Sequence, residues 1–403
     1  MDNFIQRGIK ESFLSNLDTA KLSILEGARF VGKTTFIKSI LPEWNYVDCS
    51  ILNSEQIREY KNDPVNFIEN IGRKTIFDEA QLLPKIELIM KSIIDQSNKN
   101  GQFVLTGSAP LSRTSLGGTD SLIGRKTTSR LRPFSQKELK GKRNPIISKL
   151  FSKANLAQDK VTSKEEMIRI IKTGGIIGFP ENDEAKQNYI NQILRIPYQF
   201  TRVNIFDLQN VLTYLMLNTG NALSWQSITN KIQNIKVDTA KRYVESLKDK
   251  FLVNELLQFS PGTMNIKNFS HPKIYSFDSG IAASIINTQN PSKDYFGELF
   301  ETFVVNEIIS QISWEKEVYK IYYWRTLGKK PKEVDIVIVN EKNEVIGIEI
   351  KAKHSIGMQD YDGLNKLDEE LKNGLTNGFI VYLGGEHFKH QKWNVLPVES
   401  ITS

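Results

Sequence analysis

The sequence is poor in the residues that staple, bend or anchor a chain. Cys49 is the single cysteine among 403 residues, so no intrachain disulfide can form and burial has to hold the fold. Only four histidines occur; His387 and His390 are three apart, and no cysteine or acid cluster completes a zinc set around them. With 25 Gly and 13 Pro the chain is neither disordered nor collagen-like in composition. No apolar run approaches the roughly 18 residues of a membrane span. The best runs, residues 174–179 and 378–383, are far shorter, so no membrane is expected. The first residues, MDNFIQRGIKESF, lack the basic start and apolar stretch of a signal peptide, and with the lone cysteine this gives the expectation of a reducing cytoplasm. Charge of one sign is scarce too. Lys plus Arg (53) exceed Asp plus Glu (46) by a net +7, which allows an anionic partner such as nucleic acid without demanding one.

What is present is apolar material for several cores, 39% of the chain, at a length that implies two to three domains. Residues 1–145 alternate short β-rich runs (22–25, 46–49, 75–77 and 103–106) with helical patterns long enough for crossovers, which reads as a parallel α/β sheet. Residues 146–260 turn basic and polar and then mostly helical, an α-rich module. Residues 261–403 bring strands back (KIYSF, KIYYW, EVDIVIV, VIGIEI, GFIVYL) around one helical stretch, GELFETFVVNEIISQI, as a third, α/β module.

The segment Gly27, Ala28, Arg29, Phe30, Val31, Gly32, Lys33, Thr34 fits G-x-x-x-x-G-K-[ST], between the strand LSIL and the helical TTFIKSI that begins with Thr34 and Thr35. In such a loop the backbone curls so that successive N–H groups face phosphates, at the positive end of a helix. Lys33 would reach the β/γ-phosphates of ATP and the Thr34 hydroxyl would ligate Mg²⁺. Downstream, KTIFDE is a β run ending in two acids. Asp78 would hold the magnesium and Glu79 would act as general base on the attacking water. The run QFVLTGS could lie between these two strands and present Ser108 or Thr106 to the γ-phosphate. Arg113, Arg125, Arg130 and Arg132 follow, any of which could serve as an arginine finger in cis or on a neighbouring subunit of a homo-oligomer.

Together GARFVGKTT, IFDEAQLLP and VLTGSAPLSRTSLGGTDSLIGRKTTSRLRPFSQKEL resemble the AAA-like ATPases of bacteria and archaea that bear a C-terminal domain of unknown function. The likeness continues through Gly174-Gly175, Pro180-Glu181, Asn218-Thr219-Gly220, YSFDSG, GELFETFVVNEI, YYWR, EVDIVIV and IEIK. It implies a P-loop NTPase core with a catalytic glutamate, a winged-helix-like middle and a PD-(D/E)xK nuclease-like end. Arg125 matches the Gly-Arg of the family pattern and is the preferred arginine. Where the family usually reads Arg-Asp, this chain reads Arg195-Ile196.

In the middle module WQSITNKIQ, a short break and a helix from Val237 have helix-turn-helix proportions, with Lys241, Arg242, Lys248 and Lys250 available to phosphates and Asp238, Glu245 and Asp249 interrupting them. Near the C-terminus Glu333-Val334-Asp335 begins one strand and Ile348-Glu349-Ile350-Lys351 ends the next. A hairpin symmetric about Lys342 would set Asp335 opposite Glu349, with Lys351 on the same face. That pattern resembles a PD-(D/E)xK centre, in which Asp335 and Glu349 bind Mg²⁺ and Lys351 activates water. By the resemblance, Glu301 adds a helical metal ligand. The expectation is an ATP-hydrolysing protein coupled to DNA binding or processing. The alternative is a nucleotide-dependent switch whose nuclease-like region is inactive and only binds DNA or a protein partner.

Overall fold

The computed structural model describes the chain except residues 1–3, 112–121, 123, 153–155, 157–160, 177, 179–182, 197–203, 233–234, 262–270, 290–291, 293, 329 and 373. Arg113, Pro180 and Glu181 lie outside the described residues. The chain divides into two compact units, the first Met1–Arg132 with two short later pieces, the second the rest.

The first unit is built on strands β1 (Leu22–Glu26), β2 (Asn45–Asp48), β3 (Thr75–Asp78), β4 (Phe103–Gly107) and β5 (Lys126–Arg130), in the order β2-β3-β4-β1-β5. All four pairings are parallel. The central strands β1, β3 and β4 are buried at every residue, as a sheet covered on both faces requires, and this explains their unbroken apolar runs. One core cluster gathers Leu22, Ile24, Phe77, Phe103 and Leu105 with Met90 and Ile93 of the helix Ile86–Ile94. The crossover helices begin where their caps dictate: Asn53 and Gln56 form a capping box for Ser54–Asn62, and Asp63 caps Pro64–Ile71 with proline in the first turn.

The second unit carries β6 (Val253–Gln258), β7 (Lys273–Ser276), β8 (Lys320–Arg325), β9 (Glu333–Val339), β10 (Val345–Lys351), β11 (Leu375–Tyr382), β12 (Phe388–His390) and β13 (Trp393–Pro397). They form one mixed sheet ordered β12-β13-β11-β10-β9-β8-β6-β7, parallel at β6·β8, β10·β11 and β11·β13 and antiparallel elsewhere. The middle helices therefore share a unit with the C-terminal strands, because β6 and β7, which follow them, pair into this sheet. The helix Phe296–Ile312 is buried on most of its circumference. Two of the sequence motifs are internal fasteners. Asp278, fully enclosed, accepts from the N–H groups of Gly175, Gly280 and Ile281, so YSFDSG caps the helix Ser279–Gln289 and ties down the Gly174-Gly175 turn. No described helix is long and apolar enough to cross a membrane.

Candidate functional site

Strand β1 delivers Glu26 to the mouth of the Gly27–Thr34 loop. A Cβ on Gly27 would lie 2.4 Å from the Leu131 carbonyl oxygen, so only glycine passes beneath the end of β5. Gly32 has φ +87°, left-handed backbone that glycine adopts without strain, and the helix Lys33–Ile40 starts at the next residue. Ala28 and Val31 are buried, while Arg29, Phe30, Thr34 and Thr35 face solvent. The loop is braced by a residue the sequence did not single out: Arg7 donates to the Val31 carbonyl at 2.7 Å and also to the Arg132 carbonyl.

Lys33 is buried and donates to the carbonyls of Gly27 and Ala28, each at 3.0 Å, standing 3.9 Å from Glu79 Oε1. Burial pulls its pKa down, against the pull of Glu79 and Asp78 in the other direction. Strand β3 ends at Asp78, whose carboxylate accepts hydroxyl donors from two sides. Thr34 Oγ1 and Tyr46 OH each donate to Oδ2 at 2.6 Å, and Thr106 Oγ1 donates to Oδ1. Burial alone would raise the Asp78 pKa, but these hydrogen bonds and Lys33 outweigh it and hold the carboxyl below its ordinary range. Glu79 sits in left-handed backbone, φ 53°, which is costly for a residue with a side chain. Its Oε2 accepts from Ser108 Oγ at 2.6 Å and from Gln81 Nε2 at 2.5 Å.

These contacts exist because β4 runs between β1 and β3, the position expected for QFVLTGS by likeness to P-loop ATPases, and its last residues meet both acids. Sequence reasoning passed over Arg7, Tyr46 and Gln81. Tyr46 was recoverable: it lies two residues before Asp48 on β2, whose register sets Asp48 beside Asp78. The oxygen donors fit a magnesium nucleotide, since a hydroxyl and a carboxylate, hard ligands, adjoin at the head of a glycine-shaped loop. The arginines separate. Arg125 pairs with Asp95 at 2.5 Å, and its carbonyl accepts from Leu22 at the start of β1, so it lies at the end of the sheet away from its own loop. Arg130 and Arg132 follow at the loop end. Arg130 is 3.9 Å from Glu26, and Arg132 is buried, which lowers its pKa to about 9.

In the second unit the hairpin forms in the expected register, Val339 opposite Val345 through Ile336 opposite Ile348. Asp335 and Glu349 are the next residues beyond that last pair, and Ile350 N–H donates to Asp335 Oδ2 at 2.8 Å. Lys351 donates to Glu349 at 2.9 Å. Burial, then the neighbouring Asp335, pushes the Glu349 pKa far up. Asp335 stays low because Lys273, Lys351 and the Ile350 N–H outweigh burial.

The Glu301, Asp335, Glu349 set nevertheless does not converge as metal ligands; among the described residues no group of three or more His, Cys, Asp or Glu does. Glu301 and Asp335 meet instead at Lys273 Nζ, 3.0 and 3.3 Å away, and Glu333 joins them at 2.5 Å. Tyr275 OH donates to Glu301 at 2.7 Å, and burial raises Glu301 to a pKa of about 7. Lys273 is only 1% exposed. Sequence reasoning placed a strand at KIYSF and assigned no role to Lys273 or Tyr275, which lie two apart and so share one face of it.

On the middle helix Val237–Asp249, Lys241 and Arg242 are exposed, whereas Lys248 is held by Glu245 at 2.8 Å and Glu255 at 2.5 Å; Lys250, just past the helix end, is buried. The expected basic face is thus reduced to two residues.

Comparison with known proteins agrees with the first unit's topology. Residues 19–140 match the model of an AAA domain, which supports an AAA-like P-loop ATPase domain in this part of the chain. Residues 180–292 and 296–401 match two domains of unknown function, DUF8612 and DUF4143. Uncharacterized proteins of Mycobacterium bovis and Mycobacterium tuberculosis are each 23% identical over 347 residues, 83% of this chain and 71% of theirs. Among solved structures, the chain is similar to the Walker-type ATPase of Pyrococcus abyssi, at 16% identity and TM-score 0.44 over 70% of this chain and 96% of that one. It is also similar to AMPPCP-bound DnaA from Aquifex aeolicus, at 12% identity and TM-score 0.27 over 60% and 86%.

Proposed function

We propose that the chain binds ATP with Mg²⁺ at the Gly27–Thr35 loop and hydrolyses it, and that the state of this site governs what the rest of the chain holds, DNA being the partner favoured. The loop N–H groups and Lys33 bind the phosphates, Thr34 and Asp78 hold the metal, and Glu79 takes the proton of the attacking water. Mg²⁺, when bound, neutralises charge on the phosphate oxygens. Tyr46 and Thr106 fix the orientation of Asp78, and Ser108 with Gln81 fixes Glu79. The carrying observation is the Thr34–Asp78 and Ser108–Glu79 pair of contacts, each 2.6 Å, brought together by β4 between β1 and β3. An arginine acting in cis would come from the loop end of β5, and Arg125 could act only on a neighbouring copy in a homo-oligomer.

Three functional parts, 1–145, 146–260 and 261–403, follow the motifs. The reading of the middle part as winged-helix-like is supported by the helices Ile205–Leu217, Trp225–Lys231 and Val237–Asp249, followed by antiparallel β6 and β7 and an Ala222–Lys273 bridge. Lys241 and Arg242 are its exposed cations for phosphate contact. The second reading, cleavage of DNA by Asp335, Glu349 and Lys351, draws on their placement on one sheet face and is the weaker one, because Asp335 and Glu301 are already engaged by Lys273.

The test is turnover in Glu79→Gln beside Lys33→Ala. Glu79→Gln is expected to bind a fluorescent ATP analogue like the parent chain and to hydrolyse ATP at least about 100-fold more slowly, while Lys33→Ala loses binding. Undiminished hydrolysis in Glu79→Gln refutes the assignment. Cleavage is scored with DNA and Mg²⁺ or Mn²⁺, with and without ATP, beside Asp335→Ala.

A further inference from the structure

We infer that Lys273 is the resident cation of the acidic centre in the second unit, and that this centre takes no divalent metal. An ammonium group has three N–H donors. Lys273 directs its own to three different carboxylates, Glu333 at 2.5 Å, Glu301 at 3.0 Å and Asp335 at 3.3 Å. These include two of the oxygen ligands that a nuclease of this pattern would offer to magnesium. The group is not a surface lysine that has swung in. Its stem rises from β7, a strand buried at all four positions, and its nitrogen lies 5.7 Å from the centre of the Tyr323 ring.

Further donors reach the same acids. Tyr275 OH donates to the same Glu301 oxygen, Ile350 N–H takes the second Asp335 oxygen, and Arg325 Nε stands 3.7 Å from the second Glu333 oxygen. Backbone closes in on two of the acids. A Cβ on Gly220 would lie 3.1 Å from the Glu301 carboxylate, and one on Gly363 would lie 2.2 Å from Glu349 Oε1. Magnesium demands near-octahedral oxygen ligands at about 2.1 Å and keeps several waters. Here it would have to share its ligands with a fixed positive charge that cannot move aside without leaving a buried ammonium unpaired. The centre is therefore an acid cluster gathered around an internal cation, suited to holding the β7, β9 and Phe296–Ile312 elements together and unsuited to activating water on a metal.

The inference is independent of ATP turnover, so it is tested without nucleotide on the full chain carrying Lys33→Ala. Free Mn²⁺ is measured by electron paramagnetic resonance. With Lys273 present, no saturable uptake is expected up to about 1 mM. With Lys273→Met added, one Mn²⁺ per chain is expected to bind at least about tenfold more tightly, and Asp335→Asn is expected to abolish that gain. Because Lys273→Met could unfold the chain, the parent protein supplies a second readout. Its melting temperature is expected to stay within about 1 °C between EDTA and millimolar Mn²⁺. A stoichiometric Mn²⁺ site in the chain that retains Lys273, or a metal-dependent rise in melting temperature, lost in either case with Asp335→Asn, overturns the inference.

Discussion

Each half of the chain brings a buried lysine to a group of acids, and the two lysines are held in opposite ways. Lys33 is satisfied by two backbone carbonyls and keeps 3.9 Å from Glu79, so the acids beside it are oriented by hydroxyls and an amide instead. Lys273 is satisfied by the carboxylates themselves. Neutral donors leave Asp78 and Glu79 open to a ligand at the solvent-facing loop, whereas one ammonium is shared among Glu301, Glu333 and Asp335 and ties them together inside the fold. The same residue types give a site ready for chemistry in one case and a closed fastener in the other. What separates them is whether the cation's hydrogen bonds end on carbonyls or on carboxylates.

Removing each lysine breaks the comparison most directly. Lys273→Ala strands three acids in a mostly buried cluster, and deleting one partner of a buried ion pair typically costs about 3–5 kcal/mol. Lys33→Ala leaves two loop carbonyls without a donor and is expected to cost about 1 kcal/mol without nucleotide. Urea unfolding of the two variants at pH 7.5 reads both values. Equal losses would mean that Lys273 is no more a part of the fold than Lys33 is.

The asymmetry also explains what the sequence made legible. The loop, the two acids after β3 and the intervening β4 were readable because each is a local string whose spacing encodes backbone geometry. The Asp335–Glu349 register was readable because a period of two and a polar turn fix a hairpin. Lys273 was not, since its partners come from the Phe296–Ile312 helix and β9, and neither local pattern announces a long-range contact. Arg7 was invisible for the same reason, reaching the site from the segment before β1. Arg125 illustrates the converse: a motif supplied the residue, and the strand direction then set it at the far end of the sheet.

A third buried acid sharpens the rule that a carboxylate needs either hydroxyl donors or an ammonium. Glu307 is 4% exposed and accepts the Gln136 N–H at 2.8 Å on one oxygen, while the other has no partner among the described residues. Burial raises its pKa from 4.5 to about 8, Glu138 adding to the rise and Lys140 and Lys137 opposing it. The unfolded chain releases this proton near pH 4.5 and the folded chain keeps it until about pH 8, so the group's contribution is complete below pH 4.5 and lost as pH rises through 8. Glu307→Gln is expected to leave stability at pH 5 little changed and to raise it by roughly 1–3 kcal/mol at pH 8 relative to the parent. Lys137, lowered to about 8 by burial, works in the opposite sense above that pH, so the comparison is made between pH 5 and 8. A parallel pH dependence in the parent and the variant would show that Glu307 is already satisfied.

The smallest expected effect asks what Ser108 is for. Its hydroxyl donates to Glu79 at 2.6 Å, and Gln81 Nε2 lies 3.3 Å from the same hydroxyl while also donating to Glu79. If Ser108 acts by orienting the base, Ser108→Ala removes one of two supports, and a loss of about 1 kcal/mol, a three- to tenfold lower kcat with unchanged ATP binding, is expected. A hydroxyl that touched the γ-phosphate directly would give a similar single-variant loss, so the double variant decides. With Glu79 already replaced by Gln, adding Ser108→Ala is expected to cost nothing further, because its effect runs through a carboxylate that is no longer there. Full additivity of the two losses would move Ser108 from positioning Glu79 to binding the nucleotide.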